Sequence, residues 1–226
     1  MSVSIAIPVY NEEKTIAEVV SLVKNLDLGT EKEIIVVDDG SKDRSYEKIK
    51  NIKGIKIIRH RENMGKGAAI KTAIRNSSGD IFIVQDADLE LAPKQIQKVI
   101  QPILDKKAEV VYGSRNLYEK DKTRSPLFWI GGHLITIATN LLYGTKLTDE
   151  PCGYKAFRTS ILRDIKIKNN GFDWEPEITA KIAKKGIRIH EVAVVSNSRT
   201  MKEGKKLRRR DGIKALVTLI KYRFKK

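Results

Sequence analysis

Two acidic clusters, each closing a short apolar run, are where this sequence is equipped to do chemistry. Asp38-Asp39-Gly40-Ser41 ends the run Glu33-Ile34-Ile35-Val36-Val37, and Asp86-Ala87-Asp88 ends Ile81-Phe82-Ile83-Val84. Runs of this kind read as buried parallel strands, and open α/β sheets bind ligands beyond the carboxyl ends of such strands. Two clusters on one edge imply one pocket. An Asp-x-Asp pair suits a hard divalent cation, which prefers oxygen ligands and can share them with the phosphates of a nucleotide. Asp86, Asp88 and Glu90 alternate, so an extended segment would turn all three to one side. The pattern predicts chemistry on a nucleotide-linked substrate.

The elements that must position these groups alternate in type. Strands are expected at 3–9, 33–38, 55–59, 80–85 and 109–113, with helices at 12–26, 45–52, 67–76 and 93–106 between them. Such alternation implies a parallel sheet covered on both faces, with right-handed crossovers. After Ser114 the pattern loosens into a charged loop (118–124), an apolar helix (127–143), a turn and strand (148–157), a helix (176–185) and a strand (187–195). In 211–226, Ile213, Leu216, Val217, Ile220 and Phe224 recur at spacings of three and four among lysines, the mark of a basic amphipathic helix. Packing on the domain, membrane contact and partner binding all remain open for it. The length favours one domain, 1–210, with 211–226 as an appended helix.

Composition removes several function classes. Cys152 is the only cysteine, so an internal disulfide and a Cys-rich zinc framework are excluded. Segment 127–143 is short and interrupted by Gly131, Gly132, His133, Thr136, Thr139 and Asn140, too polar for a membrane span. No signal-peptide pattern opens the chain, and a cytoplasmic protein is expected. The formal charge of +16 is concentrated at the end, where 199–226 holds twelve Lys/Arg against Glu203 and Asp211. That favours a polyanion: nucleic acid, an anionic membrane or substrate phosphates. A nucleic-acid-binding module is disfavoured, because the Asp clusters would repel phosphates unless a cation intervened. Lys66, between Gly65 and Gly67, lacks the rest of a P-loop, and no dinucleotide fingerprint follows the first strand. His60, His133 and His190 lack metal-type spacing and are expected to be structural or exposed.

Four motifs occur in order: Ile5-Ala6-Ile7-Pro8-Val9-Tyr10-Asn11-Glu12, Val37-Asp38-Asp39-Gly40-Ser41, Asn63-Met64-Gly65-Lys66-Gly67 and Asp86-Ala87-Asp88-Leu89. Together they resemble the family 2 inverting glycosyltransferases. The resemblance implies a GT-A fold, a Rossmann-like, mostly parallel α/β sheet covered by helices, with amphipathic helices in the C-terminal half. Gly113-Ser114-Arg115, the segment from Thr148 to Arg158 with its Cys152-Gly153-Tyr154-Lys155, Phe172-Asp173-Trp174-Glu175 and Ser198-Arg199-Thr200 narrow it. They are similar to the polyprenyl-phosphate sugar synthases, including the dolichyl-phosphate mannose and glucose synthases. Glu90 stands where many mannose synthases have Gln, and Cys-Gly-Tyr-Lys is closer to the glucose synthases, so mannose and glucose both stay open.

That resemblance implies transfer of a hexose from GDP- or UDP-sugar to a polyprenyl phosphate, the enzyme lying peripherally on the cytoplasmic face of a membrane, alone or with a membrane-protein partner. Pro8, Val9, Tyr10, Glu12, Val37, Asp39, Asp86, Ala87, Asp88, Arg199 and Lys205 are then expected around the nucleotide sugar. Asp86, Asp88 and Glu90 would hold Mg²⁺ or Mn²⁺, with Asp88 the first choice as direct ligand. Arg115 and Arg124 are the candidates for the acceptor phosphate. A phosphate monoester, with a second pKa of about 6, is largely anionic near neutrality and needs little help from a base. The alternative, a sugar or protein hydroxyl, would need one, from Asp149, Glu150, Glu175 or Glu177.

Overall fold

The computed structural model describes all residues except 118–125, 201–202, 205, 207 and 226. Seven strands form one sheet: β1 (Val3–Val9), β2 (Lys32–Asp38), β3 (Lys56–Arg59), β4 (Ile81–Val84), β5 (Val110–Ser114), β6 (Lys155–Arg158) and β7 (Ile189–Ala193). Their order is β3-β2-β1-β4-β6-β5-β7. Pairing is parallel except at β6, which runs antiparallel to both β4 and β5. The mostly parallel α/β sheet expected from the sequence is present, with one reversed strand inside it.

The central strands are Ile/Val-rich because they are buried on both faces: every residue of β4 is buried, as are Ile34 to Asp38 of β2. Helices α1 (Ile16–Asn25), α2 (Ser45–Ile49), α3 (Lys66–Arg75) and α4 (Ile96–Leu104) cover the first half. In α1, Ile16, Val19, Val20 and Val23 form the core-facing stripe expected of an amphipathic helix. One core cluster lies against α1 and α4, and the other against α3, α6 (Thr159–Arg163) and α7 (Trp174–Lys184).

This topology decides where a ligand belongs. The chain passes from β1 outward to β2 and β3, then returns to lay β4 on the other side of β1, so β1 and β4 flank the switch point where strand ends diverge into a crevice. Because β6 is reversed, its leading segment, Asp149 to Tyr154, enters at the same edge as the ends of β4 and β5. β7 runs parallel to β5 and delivers residues 194–200 there too.

Two helices lie apart. α5 (Pro126–Tyr143) and α8 (Arg209–Phe224) pack on each other through Ile135, Ala215 and Leu219, and α8 also packs on α7. The apolar stripe read from the sequence of α8 is not its packed face. Ala215, Thr218, Leu219 and Tyr222 face inward, while Ile213, Val217, Ile220 and Phe224 are 53–80% exposed.

Candidate active site

The site begins where β1 ends. Asn11 adopts φ 49°, its N–H donates to Ser41 Oγ at 3.0 Å, and its Oδ1 accepts from Lys42 N at 2.8 Å, so it ties two strand-end loops together and does not cap α1. Glu12 follows, with its backbone N–H donating to Ser45 Oγ at 2.7 Å. Gly40, at φ 68°, is required twice over: the left-handed backbone disfavours a side chain, and a Cβ would collide with the main chain at Glu62 and Asn63.

Asp39 is held by the neighbouring loop. Its carboxylate accepts from Gly65 N (2.7 Å), Met64 N (3.0 Å) and Asn63 Nδ2 (2.9 Å), and meets His60 Nδ1 at 2.6 Å. With those contacts both oxygens are engaged in holding the 60–65 loop. Asp38 likewise accepts from Ser41 N and pairs with Arg59 at 3.0 Å. The side chains of Val9 and Val37 are in the core, and only their backbone reaches the edge. Tyr10, Ser41, Lys42, Arg59, His60 and Asn63 line an open cleft of about 740 Å³, within the size range of nucleotide and cofactor sites.

Beyond β4 the segment is not extended as expected. Leu89 takes φ 61° and Asp88 Oδ1 accepts from Glu90 N at 3.0 Å, folding 86–90 into a turn. The carboxylates therefore part. Asp86 turns to Lys66, whose Nζ lies 2.8 Å from Asp86 Oδ1 and 3.0 Å from Glu175 Oε1. Asp88 and Glu90 turn to Arg199. Among the described residues no three acidic, His or Cys side chains are grouped to hold a metal ion by themselves. The proposed trio Asp86, Asp88 and Glu90 is thus divided between two cations.

Arg199 stands at the centre of the second group. Its guanidinium meets Glu12 through Nη1 (2.9 Å) and Nη2 (3.0 Å), Asp88 through Nη2 (3.1 Å) and Glu90 through Nε at 3.7 Å. Lys206 also pairs with Glu12 and donates to Asn11 O at 3.1 Å. The strap carrying Arg199 is pinned where Leu91 bridges Ser196 and where Asn197 N–H donates to Glu90 O at 2.8 Å. Burial, reinforced by the charges of Asp86 and Glu90 and opposed by Arg199, pushes the Asp88 carboxyl up to about 6. Burial opposes the charge of Lys66, yet Asp86 and Glu175 outweigh it and hold the ammonium protonated.

The reversed β6 brings in the last wall. Asp149 grips Arg115 through Nε (2.6 Å), Nη2 (2.9 Å) and the backbone N–H (3.0 Å), a bidentate clamp on a buried guanidinium. Glu191 on β7 accepts from the backbone of Thr148 and Asp149 at 2.8 and 3.1 Å and so sets that loop. Glu150 accepts from Thr179 Oγ1 at 2.8 Å, and Glu177 accepts from the N–H groups of Lys168 and Asn169. Gly153 touches Asp86 so closely that a Cβ would collide with its Oδ2. Pro8 is half-buried beside Tyr10, and Ala87 is buried, its carbonyl accepting from Thr15 Oγ1 at 2.6 Å. Arg124 and Lys205 lie outside the described residues. Lys66 and its partner Glu175 were the residues whose part in this site was hardest to see in sequence: the signal was a lysine between two glycines, misleadingly close to a phosphate loop.

Known proteins fit this arrangement. The family model for glycosyl transferase family 2 matches residues 4–166. The UDP-N-acetylglucosamine–dolichyl-phosphate N-acetylglucosaminyltransferase of Methanococcus voltae is 36% identical over 70% of this chain and 69% of its own length. The dolichol-phosphate mannosyltransferase of Pyrococcus furiosus is 31% identical, over 80% of this chain and 53% of its own. Glucosyl-3-phosphoglycerate synthase of Mycobacterium tuberculosis, crystallised with Mn²⁺, UDP and phosphoglyceric acid, shares the fold with a TM-score of 0.73 at 20% identity, covering 99% of this chain and 78% of that one. The chain belongs to glycosyl transferase family 2 and is a glycosyltransferase.

Proposed function

We propose that this family 2 enzyme transfers a hexose, with inversion, from GDP- or UDP-sugar to a polyprenyl phosphate at a membrane surface. One observation carries the reading: Glu12, Asp88 and Glu90 converge on a single guanidinium at the sheet's switch point, beside a cleft of nucleotide size. The two relatives named for transfer to dolichyl phosphate support the acceptor.

A divalent ion fits the donor set at the end of β4, where Asp86, Asp88 and Glu90 offer only oxygen and where burial and the neighbouring carboxylates disfavour the charge of Asp88. Asp88, with Asp86, would hold Mg²⁺ or Mn²⁺; the mycobacterial synthase, bound to Mn²⁺ and UDP, supports this. When bound, the ion would supply positive charge against the departing diphosphate. Arg199 and Lys205 would supply the guanidinium fork and the point charge for the diphosphate oxygens. Tyr10 stacks against the base, Pro8 and the backbone of Val9 and Val37 shape the floor, and Asp39 keeps the 60–65 wall in place.

A lipid phosphate oxygen attacks the anomeric carbon while the bond to the nucleoside diphosphate breaks and its oxygen keeps the electron pair. A single displacement inverts the centre. Arg115 keeps Nη1 for the phosphate while Asp149 fixes the rest of the fork, and Arg124 is the second candidate. A hydroxyl acceptor is less well served, because Asp149, Glu150, Glu175 and Glu177 are each engaged by protein donors.

Membrane contact follows from α5 and α8. Leu127, Ile130, Leu134, Ile137 and Leu141 are exposed along α5, and Ile213, Val217, Ile220 and Phe224 along α8, with Lys214, Lys221, Arg223 and Lys225 exposed around them. No helix among the described residues is long and apolar enough to cross a membrane. Apolar stripes ringed by lysines suit an anionic bilayer surface. The test is transfer of radiolabelled sugar from each nucleotide sugar with Mn²⁺: label in solvent-extractable polyprenyl phosphate is expected, and label confined to water-soluble glycan would refute the acceptor.

A further inference from the structure

Helix α5 holds two ionisable groups for which the mechanism has no use: Tyr143, whose OH donates to Leu219 O at 2.6 Å, and His133. From Pro126 to Tyr143 the helix carries no Asp, Glu, Lys or Arg, and His133 is its only imidazole. His133 Nδ1 is enclosed and, among the described residues, has no hydrogen-bond partner. The indole of Trp129 lies against the ring, centroids 4.1 Å apart and planes 34° apart. Buried polar atoms are paired almost everywhere in folded proteins, so this one calls for a partner from outside the chain.

Its position indicates what that partner is. Thr136, three residues on and on the same side of the helix, accepts the Glu150 N–H at 3.1 Å through Oγ1. That bond ties α5 to the loop whose Asp149 clamps Arg115, so His133 lies about one helical turn, roughly 5 Å of rise, from the wall expected to meet the acceptor phosphate. Ile130, three residues before His133, and Leu127 and Leu134 are exposed along the same helix. A polar donor set between a guanidinium wall and an open apolar stripe matches a ligand with a phosphate head and a hydrocarbon tail. The other histidines are accounted for: His60 joins Asp39 to Thr72, and His190 is exposed on β7.

We infer that His133 binds the acceptor: its imidazole N–H donates to a phosphate oxygen of the polyprenyl phosphate, and Trp129 covers the first isoprene units as the tail leaves along α5. The inference rests on the acceptor assigned above. It makes His133 a determinant of acceptor binding and leaves donor binding to the β1–β4 edge.

Two measurements on the full chain test it. His133→Ala should raise KM for polyprenyl phosphate about tenfold, the scale of one hydrogen bond to a charged group, with kcat and donor KM within about twofold of the parent. His133→Asn, which restores an N–H near the Nδ1 position, should recover part of that loss. With three histidines in the chain, substitution assigns the imidazole ¹H–¹⁵N signals, and the His133 signal should move with farnesyl phosphate and stay with farnesol. An unchanged acceptor KM, or equal responses to the phosphate and the alcohol, overturns the role of His133 while lipid transfer by the parent leaves the proposed function standing. Failure of the parent to label any lipid phosphate overturns both.

Discussion

The β1–β4 edge and the α5–α8 layer handle their exceptional side chains in opposite ways. At the edge, charges that burial disfavours are matched inside the chain: Arg199 answers Glu12, Asp88 and Glu90, Lys66 answers Asp86 and Glu175, and Asp149 answers Arg115. In the layer, apolar groups that water disfavours are left open, and His133 Nδ1 is enclosed with no hydrogen-bond partner among the described residues. Under the proposed function, the edge serves the donor and its metal ion, and the layer serves a membrane surface and a lipid tail. The two regions are joined through the Thr136–Glu150 contact.

The largest effect should come from the edge. Asp88→Asn should lower kcat/KM for transfer by about 10²–10³, the scale of losing one electrostatic contact to a developing charge; near-parental turnover would remove Asp88 from the mechanism. Arg199→Met leaves three carboxylates facing one another, and stability should fall by about 3 kcal/mol. Mn²⁺ should restore part of the lost melting temperature in this variant and do less for the parent, if the guanidinium and the ion compete for the same oxygens.

The layer should respond differently. Ile220→Ser with Phe224→Ser should weaken flotation with anionic liposomes at least about tenfold while nucleotide-sugar binding stays unchanged, since each removes exposed apolar surface remote from the edge. Unaltered flotation would assign the α8 stripe to something other than a bilayer.

Acidity sharpens the edge further. With its folded pKa raised from 3.8 to about 6, Asp88 is neutral below that pH, and kcat/KM should drop as pH falls through about 6. Its contribution to stability has the opposite sign: burying the charged form is a cost present above about 6, so removing the charge by Asp88→Asn should stabilise the protein at pH 7.5 and do little at pH 4 when no nucleotide is added. The smallest effect concerns Cys152, whose burial pushes the thiol up to about 11; thiol reagents should label it only on unfolding and leave activity intact.

Much of the edge was legible in sequence because its signals are local. Apolar runs of β-branched residues fixed β1, β2 and β4, and the acidic residues after them had to emerge together once the sheet was parallel. The direction of β6 was not legible, since four residues, Lys155 to Arg158, pair the same way in sequence whether the strand runs up or down. Nor were the protein contacts of Asp39, because Asp-Gly is ordinary turn chemistry and its four partners come from 60–65, more than twenty positions away. Which side of α8 packs was not legible for a related reason: periodicity locates an apolar stripe without saying whether protein or something else covers it. Ala215 and Leu219 won the core because α5 approaches them closely, and the bulkier stripe was turned outward.

The central claim is that the carboxylates now gripping Arg199 pass to a metal ion when the nucleotide arrives. Anomalous scattering from a crystal grown with Mn²⁺ and UDP or GDP tests it most directly. The account predicts manganese bonded to Asp88 with Arg199 moved onto the diphosphate. Manganese bound elsewhere, with Arg199 still on Glu12 and Asp88, would contradict it.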